Sequence, residues 1–198
     1  METCEHSKTS KKAISREFFG KTFKGRGEVC SECGAILWDK NSQNAFYDWV
    51  SKLDDPKARD KFTVQFFLTN KATLCLDKIV KQFPGSDKTM ILRALTVIYL
   101  TAVAPFPEFA AHVENIMDSE VFKDLSRGAR EQRYKVHFKP LVLIDLQSWA
   151  KIAGLPPSKF MEEAILRLLS VYIENNPILK EFWKSTILLR LELILKAA

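Results

Sequence analysis

The sequence predicts a mainly α-helical protein that carries one two-stranded β-ribbon and a small N-terminal metal-binding domain. Three observations support this prediction. An alternating, strand-length segment followed by two helical patterns occupies residues 61–99, and the same succession recurs at residues 133–172. Two cysteine-containing pairs, Cys-x-His and Cys-x-x-Cys, precede both segments within residues 1–40. Their spacing is typical of metal ligands.

The composition is that of a globular protein with a basic balance. The chain has 198 residues, of which 46% are hydrophobic and 27% charged, and its formal net charge is +6. A basic chain favours polyanionic partners such as nucleic acid. The four cysteines are few for a disulfide-stapled secreted fold and indicate a reducing compartment. Because neither a signal peptide nor an apolar run of membrane-spanning length occurs, we predict a cytoplasmic protein with no membrane partner.

The N-terminal segment has the ligand spacing of a structural zinc site. Cys30 and Cys33 flank a tight turn, and Gly34 lets the backbone amides face the two thiolates. A redox-active pair, a disulfide and a coincidence of free thiols are the alternatives. Four protein ligands leave no open position for catalysis, so a structural Zn²⁺ is predicted. Its ligands would be Cys4, His6, Cys30 and Cys33, in a segment that resembles a zinc ribbon.

The domain organisation follows from the charged, proline-containing segment 54–60, which lacks apolar periodicity and is the predicted boundary. Residues 43–54 before it have helical spacing of apolar side chains. We therefore predict one domain at residues 1–54 and a second at residues 61–198.

The first repeat begins with the alternating strand of residues 62–68. Thr69 is suited to cap the next helix, and Ser86, after a break at Pro84-Gly85, is suited to cap the one that follows. One face of the strand is apolar and is expected to be buried. Its residues are Val64, Phe66 and Leu68.

The second repeat preserves these features at a constant offset of seventy positions. Leu146 corresponds to Leu76, and the strand-face residues Tyr134, Val136 and Phe138 correspond to Val64, Phe66 and Leu68. A repeat that keeps the strand and helix periods in register is far less probable by chance than one copy alone. The predicted units span about residues 61–104 and 132–175, with a connecting helix at 107–126 and a C-terminal helix at 177–197.

The repeated strand–helix–turn–helix pattern resembles the ribbon-helix-helix family, the β-ribbon readers that include the Met and Arc repressors. The resemblance implies a tandem pseudo-dimer within one chain, in which the two strands pair antiparallel above a shared four-helix core. It also implies that the ribbon enters the major groove of DNA.

The outward face of such a ribbon carries the predicted DNA-binding side chains. Arg133 and Lys135 can donate to guanine, and Gln65 can pair with adenine. The resemblance further implies phosphate contacts at the start of each second helix. The complete predicted set is Thr63, Gln65, Phe67, Arg133, Lys135, His137, Lys88, Ser158 and Lys159. A solvated strand face with adventitious basic residues is the alternative interpretation.

These observations predict a sequence-specific double-stranded DNA-binding protein with an asymmetric site. It would act as a transcriptional regulator or as an accessory factor of mobile-element DNA processing. A protein-interaction adaptor or antitoxin-like module without specific DNA binding is the alternative. No catalytic constellation is visible, so no enzymatic activity is predicted. A protein partner at the zinc ribbon or C-terminal helix, and a monomeric pseudo-dimer or a homodimer, remain open.

Overall fold

A computed structural model describes residues 8–32, 36–53 and 62–196. The chain divides into two compact units, Met1–Lys61 and Phe62–Ala198. Within the described residues, the strands form two antiparallel sheets, one of three strands and one of two. No helix of these residues is long and apolar enough to cross a membrane.

The first unit contains a long hairpin, a short third strand and one helix. Phe19 and Gly20 connect the hairpin strands, and both have positive φ, at 55° and 76°. Two consecutive residues of this conformation match the twist of antiparallel strands and make a tight two-residue turn. The elements are β1 (Thr9–Phe18), β2 (Lys21–Cys30), β3 (Ile36–Trp38) and α1 (Lys40–Ser51).

An aromatic cluster covers one face of this three-stranded sheet. The ring of Phe23 lies 5.7 Å from Trp38, 5.2 Å from Phe46 and 5.5 Å from Trp49, measured between ring centroids. Aromatic pairs at such separations are stabilising beyond the area that they bury. Because Phe46 and Trp49 belong to α1, the cluster fixes this helix against the sheet.

The second unit is mostly helical and holds the two-stranded sheet. Its first strand is followed by two helices, and its second strand is followed by two more. These elements are β4 (Thr63–Leu68), α2 (Asn70–Val80), α3 (Lys88–Ile98), β5 (Gln132–His137), α6 (Pro140–Ile152) and α7 (Pro157–Ile173). The others are α4 (Pro107–Asn115), α5 (Glu120–Ser126), α8 (Pro177–Phe182) and α9 (Leu189–Lys196).

The strands β4 and β5 pair antiparallel with Val64 opposite Val136 and Gln65 opposite Lys135. Alternation along both strands turns one face of the pair inward, as the sequence predicts. Phe66 and Val136 on this face are buried. The helix α3 packs on β5 and α7 packs on β4, so each strand rests on a helix from the other half of the unit.

The predicted fold class is wrong. The described residues contain a second, three-stranded sheet in addition to the two-stranded one, so the chain is mixed α/β rather than mainly α with one ribbon. Helices outside the two repeats also build the core, since α9 packs on α3 and α5 packs on α7. The described residues therefore do not define a tandem ribbon-helix-helix domain. They also contain no group of three or more metal-ligating side chains.

Helix ends account for the smaller differences from the sequence prediction. Thr69 caps α2 as predicted, accepting a hydrogen bond from the Ala72 amide at 3.2 Å. The cap of α3 is Asp87 rather than Ser86, and it accepts from the Met90 amide at 2.7 Å. The connecting helix predicted at 107–126 is interrupted by a 3₁₀ turn, after which Ser119 caps α5. A capping serine satisfies the free amides of a new helix and so favours the break.

Candidate nucleic-acid interface

The outward face of the β4–β5 ribbon brings together the six strand residues that the sequence singled out. Gln65, Phe67, Arg133 and Lys135 are exposed, and Thr63 and His137 are partly exposed. Phe67 retains 42% exposure, which is unusual for a large aromatic side chain on a strand face. The cross-strand pairs are Thr63–His137, Gln65–Lys135 and Phe67–Arg133.

A packed core beneath the ribbon holds this face in place. Phe66 is only 2% exposed, and its ring lies 5.8 Å from that of Tyr134 across the strands. The Tyr134 hydroxyl is in turn 3.3 Å from the Thr73 hydroxyl of α2. Arg93 of α3 donates to the His137 carbonyl oxygen at 2.9 Å. The strand β5 is therefore tied to α2 and α3, the two helices of the first repeat.

The two ends of the ribbon differ in their side chains, and Gln65 and Lys135 form the pair between them. Gln65 and Lys135 occupy equivalent positions in the two repeats and lie opposite each other. They form the middle of the three outward-facing cross-strand pairs. The side chains on either side of this axis differ, with Thr63–His137 at one end and Phe67–Arg133 at the other. The ribbon thus presents a chemically asymmetric surface.

Arg133 and Gln65 are linked across the ribbon. The Arg133 guanidinium donates from Nη2 to Oε1 of Gln65. This bond directs the guanidinium along the outward face and leaves the Gln65 amide group as a donor. Within the described residues Lys135 makes no ion pair. Its ammonium group is therefore available to an acceptor outside the chain.

The start of α3 is poorly suited to the phosphate contact predicted at Lys88. The Lys88 ammonium lies 2.8 Å from the Asp77 carboxylate, and its pKa is raised chiefly by that hydrogen bond. The carboxylate of Asp87 already caps the helix. Two carboxylates at this helix start oppose the approach of a phosphate.

The start of α7 differs, because no side chain caps it and Pro157 occupies its first turn. The amides near Ser158 consequently face no capping oxygen, which suits an anion. Lys159 lies 3.2 Å from Glu162, and that carboxylate also accepts from Arg130 at 2.7 Å. Arg130 was missed in the sequence because it stands in a polar linker without periodicity.

Of the four predicted zinc ligands, Cys4, His6 and Cys33 lie outside the described residues. Cys30 is 1% exposed and ends β2. The Ser31 amide beside it donates to the Lys8 carbonyl oxygen at 2.9 Å. The residue types and their spacing in the sequence fit a zinc ion, and the ligand set stays a prediction.

Comparison of the chain with protein-family models, with curated proteins and with solved structures finds no match.

Proposed function

We propose that the protein binds double-stranded DNA sequence-specifically by inserting the β4–β5 ribbon into the major groove. The observation that carries this proposal is the outward face of the ribbon, where polar, basic and aromatic side chains project from a buried base. A two-stranded antiparallel ribbon has the width that the major groove admits. The net charge of +6 favours association with the phosphate backbone.

The base-reading roles follow from the side chains on this face. Arg133 and Lys135 donate to the O6 and N7 acceptors of guanine. The Gln65 amide group donates to a purine N7 while its carbonyl oxygen stays shared with Arg133. Phe67 supplies apolar contact for a thymine methyl group, and Thr63 does the same at the opposite end.

The DNA site recognised by this ribbon would be non-palindromic. Identical dimers present the same side chains to two half-sites, whereas the two ends of this ribbon present Thr63–His137 and Phe67–Arg133. The start of α7 adds to the asymmetry, because its amides near Ser158 lack a capping side chain while α3 is capped by Asp87. Lys159 would contact a phosphate there only by leaving Glu162, from which it lies 3.2 Å. Either gene regulation or marking a site for DNA processing would use such a complex.

We also propose that one structural Zn²⁺ stabilises the start of the chain through Cys4, His6, Cys30 and Cys33. The support is the ligand spacing together with the closeness of Lys8 to the Cys30–Ser31 backbone. A bound zinc would link the chain before β1 to the end of β2, and it would leave no position open for chemistry.

The DNA-binding proposal is tested by gel shift over a salt series with Arg133→Ala and Lys135→Ala. Each substitution is expected to weaken binding to the preferred duplex by about 1–3 kcal/mol, the discrimination of one good base contact. Binding to unrelated duplexes should fall much less. The matched control is Lys151→Ala, which removes an exposed charge near the far end of α6.

Two outcomes would refute the proposal. If binding is insensitive to both ribbon substitutions, the ribbon does not lie in the groove. If the steep salt dependence survives but preferred and unrelated duplexes bind equally in the wild-type protein, the attraction is only that of a basic protein for a polyanion. An adaptor that binds no specific DNA would give one of these results.

A further inference from the structure

A cavity in the second unit lies where four helical segments meet. It is lined from α4, α6, α7 and the π-helical turn Tyr99–Val103 that follows α3. Turns of this kind are rare and occur frequently at functional sites. The volume of the cavity is about 230 Å³, below the range of roughly 300–1,000 Å³ that holds drug-sized ligands. A molecule the size of a single amino acid would fill it.

Much of the wall of this cavity is apolar. Phe160 is 8% exposed, and the centroid of its ring lies 5.9 Å from that of Tyr99 in an edge-on arrangement. Trp149 of α6 is half-buried and lines the same space, as does Leu155 beyond the end of that helix. An apolar group that enters the cavity would therefore be removed from water on several sides.

A largely buried arginine brings a positive charge to this space. Arg167 of α7 lines the cavity, and 17% of its side chain is exposed. Its Nη1 donates to the Tyr99 hydroxyl at 3.1 Å. Its Nη2 is 3.8 Å from Oε2 of Glu163, which is beyond hydrogen-bonding distance. Its Nε is buried and has no hydrogen-bond partner within the described residues.

The Nε–Nη2 edge of Arg167 is consequently unsatisfied. Guanidinium groups bind a carboxylate through two parallel hydrogen bonds from such an edge. A buried donor without an acceptor costs free energy, so a carboxylate on a bound molecule would be stabilised there. Glu163 does not take this position, and its other carboxylate oxygen lies 3.9 Å from Lys159.

The remaining charges of the cavity suit a ligand that also carries an ammonium group. Glu114 and Glu163 line the cavity together with Arg167. The pKa of Tyr99 is raised, chiefly by burial; Arg167 lowers it, and the two glutamates raise it further. All three charges therefore act on the Tyr99 hydroxyl. Two carboxylates and one guanidinium leave a net negative charge, which attracts an ammonium group and disfavours a ligand that is only an anion.

We propose that this cavity binds an apolar α-amino acid. The ligand carboxylate accepts hydrogen bonds from Nε and Nη2 of Arg167. Its ammonium group faces Glu114 and Glu163, and its side chain packs against Phe160 and Trp149. This binding is independent of DNA, because the six outward-facing residues of the β4–β5 ribbon do not line the cavity.

The test is calorimetric titration of the full-length protein with leucine, methionine and phenylalanine. Two sets of analogues accompany them, the deaminated acids and the decarboxylated amines of the same carbon skeletons. At least one amino acid should bind with a Kd on the order of 10 µM to 1 mM, which suits a ligand of about ten non-hydrogen atoms. Each analogue lacks one charged group and should bind at least about tenfold more weakly.

Two variants locate the site. Arg167→Gln should weaken amino-acid binding about 10- to 100-fold, whereas Arg190→Gln, at an exposed position outside the cavity, should not. Ala110→Leu fills the cavity from α4 and leaves Arg167 in place, so it should abolish binding even if Arg167→Gln fails to fold. Ala111→Leu, at the exposed neighbouring position, is its matched control. Circular dichroism shows which variants keep the fold.

The proposal is overturned if none of the three amino acids binds saturably at concentrations up to about 10 mM. It is also overturned if the deaminated acids or the decarboxylated amines bind as tightly as the amino acids. Equal affinity of Ala110→Leu and Ala111→Leu, or unchanged affinity of a folded Arg167→Gln, would place the ligand elsewhere. None of these results depends on whether the protein binds DNA.

Discussion

The protein contains two antiparallel ribbons whose outer faces differ in chemistry. Between β4 and β5 the outer cross-strand pairs join glutamine to lysine and phenylalanine to arginine. Between β1 and β2 they join alanine to arginine and serine to lysine. The first set combines acceptors, donors and an aromatic ring, whereas the second face alternates small side chains and cations with the carboxylates of Glu17 and Glu28. Base recognition needs the first kind of surface, because only donors, acceptors and apolar groups in fixed positions distinguish base pairs.

The supports beneath the two ribbons differ as well. The β4–β5 ribbon rests on α3 and α7, with a buried layer of aromatic and aliphatic side chains under it. The β1–β2 hairpin has strands of ten residues but only one helix and one aromatic cluster. Side chains that read bases must be held in fixed positions, which a packed base provides.

Metal removal is expected to have the largest effect, and it should change the stability of the β1–β3 sheet without changing that of the β4–β5 ribbon. Chelation, or Cys30→Ser, should abolish zinc binding and reduce hydrogen-exchange protection of the β1–β3 amides by a hundredfold or more. Structural zinc contributes on the order of 10 kcal/mol to folding in small domains. Protection in β4 and β5 should not change. The measurements are zinc stoichiometry and residue-resolved hydrogen exchange.

Cys75→Ala is the control for this experiment, since Cys75 is buried in α2 and is not a predicted ligand. Burial raises the pKa of its thiol to about 12, so it remains protonated and is a poor metal ligand. Unchanged zinc stoichiometry in Cys30→Ser would contradict the ligand set.

A smaller difference is expected between substitutions on the buried and the exposed face of the β4–β5 ribbon. Phe66→Ala should lower the free energy of unfolding of the second unit by about 3–5 kcal/mol, because it empties a fully packed site. Phe67→Ala on the opposite face should cost under about 1 kcal/mol and should instead weaken specific DNA binding. Urea denaturation and gel shift measure the two quantities. Equal destabilisation by both changes would mean that the assigned faces are wrong.

The smallest effect concerns the close packing of the three-stranded sheet. A Cβ at Gly27 would lie 2.6 Å from Cδ1 of Ile14 and 2.9 Å from the Leu37 carbonyl oxygen. Gly27→Ala should therefore cost about 1–3 kcal/mol of unfolding free energy through overpacking. Thr22→Ala on the exposed face of the same strand should cost under about 0.5 kcal/mol. A neutral Gly27→Ala in thermal denaturation would contradict the described packing of β3 on β2.

The sequence predicted the β4 and β5 strands correctly. Their apolar residues alternate, and the same pattern recurs seventy positions later. Alternating apolar residues and the constant offset led to the pairing of these strands, and Thr69 was recognisable as a cap. The fold class was predicted wrongly because the N-terminal segment was interpreted only as a small metal-binding domain, and its three-stranded sheet was not counted. The Phe19–Gly20 turn instead joins two long strands.

The sequence could not predict features that depend on side-chain geometry. Ser86 and Asp87 are both good helix caps, and sequence alone did not distinguish them. The pairing of Lys88 with Asp77 and of Arg133 with Gln65 depends on how helices and strands meet. These pairings decide which cations of the candidate site are already paired within the chain, and a local sequence pattern does not contain that information.

The most direct test of sequence-specific binding is selection of bound duplexes from a random pool. It is performed with the wild-type protein and with a variant carrying Gln65→Ala, Arg133→Ala and Lys135→Ala. We expect the wild-type protein to enrich one non-palindromic sequence, and the variant to retain duplex binding while enriching none. Absence of an enriched sequence with the wild-type protein, or the same sequence enriched by the variant, would contradict the assignment of the β4–β5 ribbon as the reading surface.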